Sequence, residues 1–182
     1  MKSTDIDSKF FPFESEKPFQ GCTICGIELA NGVDYVVEKA LKGNDVIFEI
    51  ASCLPCAEKM REGFSKKTRE AIDKFFEENV DLAVKTVSNM FSTSTELEEH
   101  ISNCLISGEP IDQDKEYQIY AFCGEGKMHF TGLYPFAMSG TSIDRIAELI
   151  SPESQGFLDD LYDDFLIPDD LRDLLKSRPV LI

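Results

Sequence analysis

Four of the six cysteines in this chain come as two Cys-x-x-Cys pairs, Cys22-Thr-Ile-Cys25 and Cys53-Leu-Pro-Cys56. The second pair ends a β-type run, "DVIFEIAS", and leads straight into a segment with helical character. At a helix start, N–H groups and the helix dipole stabilise a thiolate, so Cys53 and Cys56 suit a redox dithiol. Two-residue spacing also lets one tight turn aim two sulfurs at a single ion, so the same pair suits half of a metal site. The first pair is separated from the second by 27 residues, Gly26 to Ser52, enough for a β-hairpin.

The elements that must position these thiols repeat along the chain. Sliding the sequence by 82 positions sets Cys22 on Cys104, Gly26 on Gly108, Tyr35 on Tyr117 and Phe48 on Phe130. With four more residues in the second copy, Glu62 falls on Glu148, Ser65 on Ser151 and Ile72 on Leu158. Charge, aromatic and cap positions agree together, which predicts an internal duplication. Each copy has a Cys/Gly turn and two β-type runs, "DYVVEKAL" and "DVIFEIAS", then "EYQIYAF" and "KMHFTGLY". Glycines in "KGN" and "GEG" mark the hairpin connections. A helix with Met60, Phe64, Ala71 and Phe75 on one face follows. Ser65 and Ser151 are placed as helix caps, with Pro152 at a first helical position.

A turn with Cys-x-x-Cys, a hairpin, and a helix opening on a second Cys-x-x-Cys resembles the treble-clef, zinc-ribbon-like group of zinc fingers. The resemblance covers Cys22 to about Phe64. It implies an α+β fold of two tandem treble-clef-like modules, the first zinc-bound and the second metal-free. It further implies that Cys22, Cys25, Cys53 and Cys56 ligate one structural zinc. A thioredoxin-like redox reading rests on Cys53–Cys56 alone and leaves Cys22 and Cys25 unexplained. A rubredoxin-like iron site uses the same four thiolates, and ligand type does not separate the two metals.

In the second copy the positions facing the four cysteines read as Cys104, Ser107, Pro135 and Met138. Proline binds no zinc and methionine binds it poorly, so this module is expected to cohere by packing alone. His100, Cys104, Cys123 and His129 are a conceivable residual site. The plainer expectation is buried cysteines and surface histidines.

The boundaries follow as a leader over 1–20, a zinc-binding module over 21–87 and a linker over 88–100. A degenerate module spans 101–166, and a helical tail 167–182 carries Leu171, Leu174 and Leu175 at helical spacing. The chain has 182 residues and a net charge of −16, with 34 acidic against 18 basic residues. Such a balance repels polyanions, so nucleic acid is excluded as a partner. No apolar run approaches the roughly 20 residues of a membrane span, and the N-terminus has no apolar signal core. Paired cysteines without an export signal point to a reducing cytoplasm. "DDLYDD" (Asp159 to Asp164) reads as a solvated acidic helix face, and "KFFPF" as an apolar segment packing on its own protein.

No phosphate loop, nucleophile elbow or G-x-G-x-x-G is present, and two histidines leave little room for His-based acid–base chemistry. Nothing in the sequence requires an enzyme. The function expected is a protein-interaction or scaffold module around a structural zinc. The alternatives are a redox- or metal-responsive regulator acting through the Cys53–Cys56 thiolates, or an enzyme with a site between the modules.

Overall fold

The structure is a computed structural model that describes residues 2–30, 32–80 and 94–164, with side chains as far as Asp160. The expected linker is therefore described only from Ser94 onward, and the expected tail lies outside the described residues. In chain order the elements are β1 (Lys2–Asp5), a 3₁₀ turn (Ser8–Phe10), β2 (Tyr35–Lys42), β3 (Asp45–Cys53), α1 (Leu54–Gly63) and α2 (Lys66–Asn79). Then come α3 (Leu97–Ile101), β4 (Glu116–Gly124), β5 (Lys127–Phe130), β6 (Phe136–Ser139), α4 (Gly140–Ala147) and α5 (Pro152–Asp164).

The architecture is mixed α+β, built on one antiparallel six-stranded sheet in the order β1-β5-β4-β2-β3, with β6 beside β4. The two halves of the chain are not separate beads, because β2 and β4 pair along their full lengths at the sheet's centre. Glu38 lies opposite Tyr120, its own counterpart 82 positions on, and the other partners fall symmetrically about that pair. Both faces of the sheet are covered. Phe48, Ile50, Tyr120, Phe136 and Met138 meet Met60, Phe64, Phe75, Ile143 and Leu158 from the helices on one side. Tyr35, Val37, Ile119 and Ala121 pack against Phe10, Leu97, Ile101 and Cys22 on the other. A strand buried on both faces has no solvent side, which is why β2 reads as nearly continuous burial.

The leader is part of this fold rather than a segment apart. β1 adds to the edge of β5, pairing Lys2 with Phe130 and Asp5 with Lys127, and Phe10 is fully buried. The run "KMHFTGLY" is shorter as a strand than expected: β5 stops at Phe130, and β6 resumes at Phe136 after an excursion through the cis Tyr134–Pro135 bond. In the first half the strand runs on without a break, Phe48, Glu49 and Ile50 pairing in turn with Ala40, Lys39 and Glu38.

Two helix starts close the helical layer against each other. Ser65 caps α2 by accepting from the Thr68 N–H, and Ser151 accepts from the Ser154 N–H at the start of α5. Each cap's backbone is then satisfied by the other helix: Ser65 N–H donates to Ser154 Oγ, and Ser151 N–H to Thr68 Oγ1, both at 2.9 Å. Thr68 and Ser154 are fully buried, so these bonds are made away from water. The capping roles of Ser65, Ser151 and Pro152 were readable from the sequence; their mutual contact was not. Just ahead of α3, Ser94 Oγ accepts from the Glu96 N–H.

Candidate metal centre

The first Cys-x-x-Cys forms a tight knuckle. Gly26 N–H returns to the Cys22 carbonyl at 2.8 Å, and Cys22 N–H donates to the Ile27 carbonyl at 2.8 Å. Gly26 sits at φ +73°, a backbone conformation that glycine adopts without steric cost. Thr23 anchors the knuckle to β3: its N–H donates to the Ala51 carbonyl at 2.8 Å, and its Oγ1 accepts from the Ala51 N–H at 3.0 Å. The second pair needs no separate loop. Cys53 is the last residue of β3 and the N-cap of α1, Pro55 occupies the first turn, and Cys56 follows in the same turn.

Together these elements bring the four sulfurs within 4.8 Å of one another. Cys25 Sγ and Cys53 Sγ stand 3.8 Å apart. Tetrahedral Zn–S bonds of about 2.3 Å require sulfurs about 3.8 Å apart, whereas a disulfide needs about 2.05 Å. All six cysteines are free thiols. The four can hold one metal ion, and the all-sulfur donor set fits a soft or borderline metal. Cys22 and Cys53 are buried, Cys56 is intermediate and Cys25 is exposed, so one wall of the cluster faces water.

The protein environment is unequal across the cluster. Burial opposes ionisation of Cys22, yet the N–H groups of Cys53, Cys25 and Ile24 outweigh it and hold that thiol at about 7. The Cys53 N–H to Cys22 Sγ contact is 3.4 Å. Burial pushes Cys56 strongly upward, reinforced by the neighbouring thiols, and Cys53 is raised as well. Thiols that resist ionisation when crowded together are the groups that a cation between them would relieve.

A second cluster occupies the matching place in the other half. Gly108 also has φ +73°, its N–H returns to the Cys104 carbonyl at 2.8 Å, and Leu105 N–H donates to the Ala137 carbonyl at 2.7 Å. The residues that converge on Cys104 are Ser139 and Ser142, not the Pro135 and Met138 expected from gap-free alignment. Ser139 N–H reaches Cys104 Sγ at 3.4 Å, and Ser142 Oγ lies 3.2 Å from it. Ser139 caps α4 as Cys53 caps α1. Met138 instead points into the core with Phe136. The signal was present as Ser139-Gly-Thr-Ser142, which keeps the spacing of Cys53-Leu-Pro-Cys56. Placing the four-residue gap before Phe136 would have found it.

The conceivable set of His100, Cys104, Cys123 and His129 does not assemble. Among the described residues the four-cysteine cluster is the one group of His, Cys, Asp or Glu atoms placed to share an ion. Cys123 is fully buried beside Tyr35, and burial raises its thiol to about 12. Neither histidine is on the surface as expected. Both are buried, His100 edge-on to Phe130 at 4.9 Å and His129 tilted on Phe122 at 5.6 Å. Among the described residues no helix is long and apolar enough to cross a membrane. No protein family, characterised protein or solved structure matches the chain.

Proposed function

We propose that this is a zinc-binding scaffold protein, built from two treble-clef-like modules of common origin fused about an internal two-fold, acting by contact with another protein in the cytoplasm. Cys22, Cys25, Cys53 and Cys56 ligate one structural zinc in the first module. The observation that carries the reading is the convergence of four free sulfurs within 4.8 Å of one another, Cys25 and Cys53 at 3.8 Å, with two of the four on a glycine knuckle and two on a helix start. Four thiolates fill the coordination sphere of zinc and leave no open position for water or substrate, which favours a structural over a catalytic role. The duplication is supported by the symmetric β2–β4 register and by the paired knuckle and cap hydrogen bonds of the two halves. The acidic surface selects against nucleic acid and towards basic protein segments.

Elemental analysis of the purified protein tests the metal assignment. One zinc per chain, with the four cluster thiols becoming reactive only after denaturing chelation, is the expected result; iron, or no metal with a Cys53–Cys56 disulfide, overturns it. A second reading, a redox-responsive regulator, is favoured by one feature: Cys25 is exposed in the cluster. It predicts reversible zinc release by peroxide at doses below stoichiometric, whereas a purely structural site retains its metal.

A further inference from the structure

We propose that the outer edge of β3 is a docking site for an extended, basic segment of a partner protein, which adds there as a further antiparallel strand. This names the surface for the interaction role proposed above and rests on that reading.

The argument starts from a difference between the two halves. β5 spans Lys127–Phe130, and its counterparts 82 positions earlier are Asp45–Phe48 at the start of β3. Both segments leave a tight two-residue turn, with Gly124 opposite Lys127 and Lys42 opposite Asp45. In the second half the outer edge of this segment is filled: β1 lies antiparallel along all four residues. In the first half β3 is the edge of the sheet. Among the described residues, the backbone bond outward from β3 is the one from Thr23 to Ala51, beyond the segment in question. An open strand edge presents unpaired N–H and C=O groups, and strand addition is a recurrent way to recognise extended peptides. The fold thus shows at β5 what fits this edge: a short antiparallel strand.

The leader passes this region without filling the edge. Its contacts there are to side chains: Lys39 Nζ donates to the Phe11 carbonyl at 2.6 Å, and Phe13 N–H donates to the Glu49 carboxylate at 2.8 Å. Lys39 is buried and pairs with Glu49 at 3.0 Å, while its counterpart in the other half is Ala121, an ordinary core residue. Burying the Lys39 charge is costly even with a partly exposed partner, and it is not a requirement of the shared fold. Here it holds the leader turn over the face of the sheet, beside a cavity of about 440 Å³ to which Leu41, Val46 and Tyr117 contribute. Phe13 is left 68% exposed on the cavity's rim. A strand added to β3 would set alternate side chains towards this cavity. Glu49 is already paired with Lys39, but exposed Asp45 on the strand, in a chain of net charge −16, favours Lys and Arg at the remaining positions.

The test uses the full-length, zinc-loaded chain and a synthetic peptide of alternating lysine and valine, with a glutamate–valine peptide as control. Binding is read together with backbone amide exchange. Expected are slowed exchange at Asp45–Ile50 on adding the basic peptide, at least tenfold weaker binding of the acidic one, and a similar loss in Ile47→Pro. Val46→Lys places a cation on the same edge and serves as the second variant should the proline disturb folding; it is expected to weaken the basic peptide too. No binding, protection confined to another surface, or equal binding by both variants overturns the proposal. Protection of the outward-facing amides of this segment, Glu49 among them, in the peptide-free monomer would mean that the chain itself holds the edge. Protection that grows with protein concentration would mean that a second copy does. Either outcome overturns the proposal. Zinc content of the same sample is measured independently, so failure at this edge is distinguishable from failure of the metal assignment.

Discussion

The clusters around Cys22 and Cys104 use one backbone and two chemistries. Each has a glycine at φ +73° closing a knuckle, a backbone N–H from a helix cap at 3.4 Å from the knuckle sulfur, and a further side chain from the first turn of that helix. In the first the side chains are four sulfurs, with Cys25 and Cys53 3.8 Å apart. In the second, hydroxyls surround one sulfur: Ser139 Oγ and Ser142 Oγ bond each other at 3.2 Å and both approach Cys104. Hydroxyls donate and accept, so this cluster can satisfy itself. Thiols are weak at both, so the four-cysteine cluster gains little without an ion. The difference teaches that the same turn-and-helix frame can carry four thiols placed to hold a metal or a small hydrogen-bond network.

The largest expected effect breaks the metal side of this comparison. Chelation, or Cys53→Ser, should release the ion and destabilise the first half by several kcal/mol, against about 10–16 kcal/mol for zinc binding in isolated finger peptides. Cys104→Ser should leave the zinc content unchanged. Thermal unfolding with metal analysis reads both outcomes, and an unchanged melting temperature on full chelation would remove the structural role. Next, the triple variant Ser107→Cys, Ser139→Cys and Ser142→Cys should take up a second zinc, because the backbone frame is already in place. A stoichiometry that stays at one would mean that the second frame has drifted from metal geometry.

A pH series sharpens the comparison from the other side. Burial opposes ionisation of Cys104, but the Ser139 N–H and the hydroxyls of Ser142 and Ser107 outweigh it, holding the thiol at about 6 against an ordinary 9.0. A depressed folded-state value stabilises the fold fully above pH 9, and that contribution is lost as pH falls through 6. Wild type should therefore lose stability relative to Cys104→Ala between pH 9 and pH 6, by at most a few kcal/mol at about 1.36 kcal/mol per unit. Chemical denaturation at stepped pH measures it, and parallel curves would place a neutral thiol at Cys104.

The smallest expected effect lies between the halves. Thr68→Val leaves the buried Ser151 N–H and Ser154 hydroxyl short of a partner and should cost about 1–3 kcal/mol. Ser154→Ala should cost a similar amount, because it strands the Ser65 N–H instead. The double variant should cost less than the sum, since both belong to one network. Additive losses would mean that the two caps act independently.

Legibility followed the range of the interactions. Cys-x-x-Cys spacing, hairpin glycines, serine caps and the proline of α5 act over a few residues, and each was readable where it stood. In the 82-residue offset the place of the gap was not readable, because the break between Phe130 and Phe136 falls inside what reads as one β-type run. That single misplacement hid Ser139 and Ser142 behind Pro135 and Met138. β1 was also hidden: "KSTD" pairs through its backbone at a sheet edge, and backbone hydrogen bonds leave no side-chain pattern.

By itself, then, the sequence determined the ligand candidates, the local turns and caps, the α+β grammar and the acidic charge. Tertiary structure alone decided that the two halves share one sheet through β2 and β4, that His100 and His129 are buried, and that among the described residues no strand covers β3 where β1 covers β5. The physical reason is that spacing along the chain encodes only contacts within a turn or a hairpin. Which edges meet, and which face a side chain finally lies against, is set by burying both faces of the sheet at once.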